Sequence, residues 1–164
     1  MKVEFINPFV SATLDVFRVM LSCELSREPL IVKREHTPMH EVSGLIGLSG
    51  TCRGMVVVSV GRETAIRAAE IMLSSRPDGL NADVMDAIGE ITNMIAGAAK
   101  AQLEQYSLSV GLPTVITGKC QTITFPSGAY PIGIPFESEI GPVCVQVGLV
   151  EVSEPAAPSA ANGS

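Results

Sequence analysis

Asp86, Glu90 and Asn93 are the residues of this chain whose types and spacing are best suited to chemistry. The segment 84–100 around them has apolar residues every three or four positions, which predicts an amphipathic helix. The spacing i, i+4, i+7 places the three side chains on one helix face. Three further residues continue the same stripe: Gly97, Lys100 and Glu104. An acid and an amide one turn apart can hold a cation and aim a water molecule, and they can also be a plain solvated face.

The segment 84–100 belongs to the last of three predicted helices. In the first, Asn7 is read as the N-cap and Pro8 as the first helical residue, with the helix running to Glu24 and residues 1–6 forming a strand or an arm. The second covers residues 62–74. The core residues expected on these two helices are Phe9, Val16, Phe17, Met20, Leu21, Ala65, Ile66, Ala69, Met72 and Leu73. The third helix is capped by Asn81 or Asp83 and ends near Gln105.

The remaining segments alternate in polarity or carry turn residues, and so predict strands. Hairpins are predicted at 43–60, with the turn at 50–54, and at 135–150, with the turn at Gly141-Pro142. Further extended segments are predicted at 30–34, 107–115 and 119–125. The order of elements predicts an α+β fold, in which an antiparallel or mixed sheet has its helices packed on one side. We expect residues 1–153 to form one domain and residues 154–164 to be a disordered tail.

The two halves of the chain echo each other in outline, since each has a helix followed by antiparallel strands. Superposing the first helix on the third places Ser11 on Asp86, Asp15 on Glu90 and Arg18 on Asn93. Any two amphipathic helices share a period, so the echo alone does not establish a duplication. If the halves are related, the first helix is inactive, because an arginine cannot accept a hydrogen bond from water.

The charge and the aromatic content of the chain argue against some classes of function. The net charge is −6, from 11 basic and 17 acidic residues, and aromatic residues are only 4%. With no basic cluster or aromatic strand, nucleic-acid binding is not expected. The chain has no apolar run long enough to span a membrane and no signal-peptide pattern, so we expect a cytoplasmic protein without membrane insertion.

Metal and thiol chemistry are weakly indicated. The four cysteines, Cys23, Cys52, Cys120 and Cys144, have no paired spacing, which is typical of reduced, buried thiols. His36 and His40 have a zinc-like spacing, but Pro38 lies between them and no third ligand is evident. We therefore expect no metal site in this chain.

The motif Asp86-x3-Glu90-x2-Asn93 resembles that of the CheC/CheX/FliY family of chemotaxis phosphatases. The opening residues 5–9 and the run 93–97 resemble its single-site CheX members most closely, and Pro113 loosely matches a proline that follows the motif. The resemblance covers about residues 1–152.

The resemblance implies hydrolysis of the aspartyl phosphate on a CheY-type response regulator. Asn93 is then expected to position the attacking water, and Glu90 to pair with a lysine in the regulator's active site. Asp86 is expected to make a partner contact or only to complement the helix dipole. Gly97, with no side chain, would let the partner lie close to the helix. The Mg²⁺ belongs to the regulator, so this chain needs no cofactor of its own.

The resemblance also implies a homodimer, which the second hairpin could form by pairing its edge with another copy. One alternative stays open. A binding module of the same fold could dock on a response regulator, a receptor-modifying enzyme or the flagellar switch without catalysis.

Overall fold

The structure, a computed structural model, describes residues 2–32, 40–119 and 122–153. Its three α-helices are α1 (Val3–Leu21), α2 (Arg62–Leu73) and α3 (Ala82–Ala101), and α3 is followed by a 3₁₀ turn at Glu104–Tyr106. The strands are β1 (Ser26–Arg27), β2 (Ile31–Val32), β3 (Val42–Ser49), β4 (Cys52–Val60), β5 (Ser109–Val110), β6 (Thr114–Thr117), β7 (Ile132–Glu137) and β8 (Val143–Glu151). The predicted α+β fold is confirmed.

All eight strands belong to one antiparallel sheet. Its order is β1-β7-β8-β4-β3-β5, with β2 also pairing to β7 and β6 to β3. The central pair is β4 with β8, which align from Cys52 opposite Glu151 to Val60 opposite Val143. Because β8 lies between β4 and β7, it cannot offer an edge to a second copy, and the expectation that the second hairpin forms a dimer edge through β8 is wrong.

The order and pairing of the elements show the two-fold repeat that the sequence only suggested. Each half runs helix, two short strands and hairpin: α1, β1, β2, β3, β4 and then α3, β5, β6, β7, β8, with α2 as the connection. The short strands cross over. Those of the first half pair with β7 of the second, and those of the second half pair with β3 of the first. Each half therefore completes the outer edge of the other.

The main core lies between the helices and one face of the sheet. Alternate residues of β4 and β8 point into it, including Val56, Val58, Val145 and Val147, because neighbouring strand residues face opposite sides. A smaller cluster on the other face consists of Val57, Ile123, Phe125 and Ala129, flanked by partly buried apolar residues. The sheet is thus covered by helices on one side and in part by a loop on the other.

The first helix begins earlier than predicted. It starts at Val3, and Pro8 lies inside it, so the reading of Asn7 as N-cap and of residues 1–6 as a strand or an arm is wrong. Phe5 and Ile6 are buried in the core, and this burial extends the helix through a proline that lacks a backbone donor. Tertiary packing overrides the local signal here.

Smaller differences concern helix ends and one strand. The third helix ends at Ala101 rather than near Gln105, and Met20 and Leu73 are 40% and 48% exposed rather than core. Residues 122–125 form no strand: Ile123 and Phe125 alternate because both pack on the back of the sheet. Residues 33–34 of the predicted 30–34 strand, residues 120–121 and the tail from 154 lie outside the described residues.

Cys23, Cys52 and Cys144 are buried as predicted, while Cys120 is not described. Within the described ranges, no helix combines the length and apolarity needed to cross a bilayer.

Candidate functional site

The helix that carries the candidate residues is set by a side-chain cap at its start. Asn81 is the N-cap, and its Oδ1 accepts a hydrogen bond from the Val84 amide at 3.1 Å. The apolar face of α3 is buried, whereas Asp86, Glu90 and Asn93 are all exposed. The predicted cap, helix and face are therefore confirmed for this element.

Thr92 fixes how closely α3 lies on the sheet. Its side chain is fully buried, and its hydroxyl donates to the Ile88 carbonyl at 2.7 Å. A Cβ added to Gly44 of β3 would lie only 2.0 Å from Thr92 Oγ1. The glycine is what permits this approach, and the inward position of Thr92 directs its neighbours Glu90 and Asn93 away from the sheet.

A shallow depression lies on the Glu90 side of the helix. It is lined by Met85, Asp86, Gly89, Glu90, Pro113 and Val115. A Cβ on Gly89 would lie 3.5 Å from Val115 Cγ2 and 3.8 Å from Pro113, so the strand after Pro113 packs directly on the helix at this glycine. Pro113, which matched the family motif only loosely, is thus adjacent to Glu90 in space.

A second depression lies on the Asn93 side. Its lining residues are Asn93, Gly97, Lys100, Ala101, Glu104, Ser107, Leu108 and Val110. Gly97 is exposed, and an added Cβ would meet nothing within 4 Å. Lys100 and Glu104 lie on the stripe as predicted, although Glu104 belongs to the 3₁₀ turn. Glu90 and Asn93 therefore occupy the ridge between two depressions.

The polar groups on this ridge have no partners among the residues that the structure describes. Within residues 2–32, 40–119 and 122–153, neither Glu90 nor Asn93 makes a side-chain hydrogen bond or ion pair. The corresponding face of α1 is different, because Arg18 Nη2 lies 2.7 Å from Asp15 Oδ1 and the two charges neutralise each other. Of these two helix faces, that of α3 is the one that leaves a carboxylate and an amide available to another molecule.

The described part of the chain holds no group of three or more metal-ligating side chains. His36, half of the histidine pair, is not described, so that alternative stays untested.

Among the lining residues that reasoning from the sequence missed are Gly89 and Val115, which pack against each other. A signal for the first was available, since a glycine inside a helix costs about 1 kcal/mol relative to alanine and indicates a close approach. No comparable signal marked Val115, because its contact with α3 depends on how β6 pairs with β3.

Comparison with known proteins adds to this geometry. The model of the family described as chemotaxis phosphatase CheX matches residues 42–137. The CheY-P phosphatase CheX of Thermotoga maritima is 28% identical over 123 residues, which cover 73% of this chain and 79% of that protein.

Solved structures of CheX proteins have a similar fold. The chemotaxis protein CheX of Vibrio vulnificus is 34% identical with a TM-score of 0.82, covering 90% of this chain and 100% of that one. The Borrelia burgdorferi CheX, solved in a complex with CheY, BeF₃ and Mg²⁺, is 23% identical with a TM-score of 0.77, covering 92% of this chain and 100% of that one. At that identity the likeness concerns the fold alone.

Proposed function

The chain belongs to the chemotaxis phosphatase CheX family, and we propose that it hydrolyses the aspartyl phosphate of a CheY-type response regulator at the ridge of Glu90 and Asn93. The Thermotoga maritima relative is a CheY-P phosphatase, and the Borrelia burgdorferi structure holds CheX with CheY. One observation carries the proposal: an exposed carboxylate and an exposed amide, one turn apart, have no partner among the described residues of their own chain.

Asn93 is suited to holding the attacking water. Its amide oxygen accepts a hydrogen bond from water, and the group does not titrate, so it keeps this capacity at every working pH. An acyl phosphate is already activated and reacts through a loose transition state, so placing the water in line with phosphorus supplies most of what catalysis needs. The rigid seat of α3 on β3, through Thr92 and Gly44, holds the amide in place.

Glu90 is suited to orienting the complex. Its carboxylate would pair with the lysine of the regulator's active site, and closing the interface around that pair strengthens it. Asp86 lies beside it in the same depression and would make a peripheral contact. The Mg²⁺ needed to neutralise the phosphate would be bound by the regulator, and this chain would add no ligand to it.

We propose one working site per chain. The α1 face presents Asp15 and Arg18 where α3 presents Glu90 and Asn93, and these two residues pair with each other. An arginine in this position can neither accept from water nor be released without breaking the ion pair.

A homodimer is also proposed, as the family resemblance implies. With β8 excluded, the edge strands of the described sheet that could pair with another copy are β1 and β2 on one side and β5 and β6 on the other. Light scattering at micromolar concentration should give twice the mass of one chain, and the mass of a single chain would contradict the proposal.

The decisive experiment follows the decay of a phosphorylated response regulator with and without the protein. We expect Asn93→Ala to lower the rate at saturating enzyme by about a hundredfold, the cost typical of losing correct placement of a reactant. Its affinity for the regulator loaded with BeF₃⁻ should stay close to that of the wild type.

Arg18→Ala is the matched control on the opposite half, and it should leave the decay rate unchanged. Full activity in Asn93→Ala would refute the assignment of Asn93. Binding of the regulator by the wild type without faster decay would identify the chain as a docking module.

A further inference from the structure

The edge of the sheet beside α3 contains a one-residue bulge. Val110 pairs with Leu48 and Thr114 pairs with Leu45. On β3, two residues lie between these pairs. On the edge strand, three residues lie between them, namely Gly111, Leu112 and Pro113, so the edge has one extra residue. Such a bulge redirects a side chain out of the regular alternation of the strand.

The bulge is held at both ends. The Gly111 amide donates to the Gly47 carbonyl at 2.9 Å, and Pro113 packs over Gly89 of α3. Between them the Leu112 side chain is 91% exposed, more than any other large apolar side chain described in the chain. A leucine that is so exposed gains almost nothing from folding, and its apolar surface is available for burial against another molecule.

The position of the bulge connects it to the proposed site. Val110, just before it, lines the Asn93 depression, and Pro113, at its end, lines the Glu90 depression. Leu112 therefore lies in the chain between a residue that lines one depression and a residue that lines the other.

The other half of the molecule offers an internal comparison. Arg27 pairs with Phe136 and Ile31 with Gly133, so residues 28–30 form the equivalent bulge, and the Glu28 amide donates to the Pro135 carbonyl at 2.9 Å. In that bulge Pro29 stands at the place of Leu112. The half whose helix presents Arg18 in place of Asn93 thus has no leucine at this place, and Leu30, the next residue of its bulge, is 38% exposed.

We infer that Leu112 is a docking contact for the phosphorylated response regulator, inserting into an apolar patch next to the regulator's phosphorylation site. The inference rests on the proposed function. Removing so exposed a leucine from water on binding is favourable, and a preordered bulge limits the entropy lost.

A second copy of this chain is a poorer occupant. Three acidic side chains, Asp86, Glu90 and Glu104, surround the depressions with only Lys100 to balance them. A two-fold contact of this face with itself would bring like charges together. A regulator that offers a lysine to Glu90 avoids that repulsion.

The test is steady-state decay of the phosphorylated regulator by Leu112→Ser. We expect KM to rise about tenfold, which corresponds to about 1.4 kcal/mol, with kcat within about twofold. The Kd for the BeF₃⁻-loaded regulator, measured by calorimetry, should rise by the same factor. Leu30→Ser, one residue beyond the place of Leu112 in the bulge of the other half, is the control and should leave both unchanged.

An unchanged KM in Leu112→Ser, with active wild type, would overturn the inference while leaving the proposed function standing. A change of oligomeric state with unchanged KM would also overturn it, because it would assign Leu112 to a contact between copies. An inactive wild type would instead remove the proposed function. Urea unfolding of Leu112→Ser should match that of the wild type, which separates docking from stability.

Discussion

Gly44→Ala tests the packing that holds the proposed site. The added Cβ would lie 2.0 Å from Thr92 Oγ1 and 2.9 Å from Thr92 Cβ. A rotation of the threonine side chain could relieve the first contact but not the second. Ordinary contact begins near 3.4 Å, so Thr92 Cβ must retreat by about 0.5 Å even after that rotation.

The retreat has a cost in stability and a cost in activity. Overpacking a core position typically costs about 1–3 kcal/mol, and we expect about 3 kcal/mol here because α3 also packs against α1 and α2. For a chain of this length the melting temperature should fall by about 6–12 °C. Phosphatase activity at 15 °C, where the variant is folded, should fall about tenfold or more, since Glu90 and Asn93 move with the helix.

The assays are urea unfolding followed by circular dichroism, and regulator decay. Gly47→Ala, on the same strand, is the control, because its added Cβ would meet nothing within 4 Å. It should change stability by no more than about 0.5 kcal/mol. Thr92→Ala should partly rescue Gly44→Ala by removing Oγ1 and Cγ2. Equal stability of Gly44→Ala and Gly47→Ala would refute the close approach of α3 to β3.

Three further predictions concern other residues. Gly97→Ala should raise the free energy of unfolding by about 0.8–1 kcal/mol, because it removes a glycine from an exposed helix position. Gly97→Leu should instead raise KM for the phosphorylated regulator at least tenfold, because the larger side chain obstructs the partner. An unchanged KM in Gly97→Leu would show that the regulator does not cover this face. The hydrogen bond to Glu4 raises the pKa of Tyr106 in the folded protein. The stability that this hydrogen bond contributes is therefore present below the unfolded pKa near 10 and is lost as pH rises through the folded pKa. Urea midpoints measured from about pH 8 to 11 should fall less steeply with pH in Tyr106→Phe than in the wild type, and equal slopes would contradict this. Burial raises the pKa of the Cys52 thiol, so this thiol should not react with a disulfide reagent in the native protein at about pH 8. Native Cys52→Ser and native wild type should therefore show the same number of reactive thiols, and one fewer in the variant would contradict this.

Much of the local structure follows from the sequence, because it depends on neighbouring residues. Asn81 before an apolar repeat predicted the start of α3, and the alternation within 43–60 predicted the first hairpin. The exposed face of Glu90 and Asn93 followed from the helical period alone. These features need no knowledge of the rest of the chain.

What failed depends on distant residues. Pro8 signals a helix start locally, but the burial of Phe5 and Ile6 outweighs that signal. Residues 122–125 alternate like a strand, yet Ile123 and Phe125 pack on the back of the sheet without pairing. The bulge at Leu112 could not be read from the sequence, because it is defined by the register of the edge strands against β3.

The crossed pairing of the two halves has a consequence for synthesis of the chain. Strand β4 ends at Val60, but its partner β8 begins only at Val143. At about 5–20 residues per second, synthesis of the 83 residues from Val60 to Val143 takes roughly 4–17 s, during which β4 has one edge unpaired. That edge carries Val56, Val57, Val58 and Val60, a composition that favours pairing with other chains. The most vulnerable moment for this protein is therefore before its second half exists, and mutations that expose β4 for longer should lower yield without altering the finished fold.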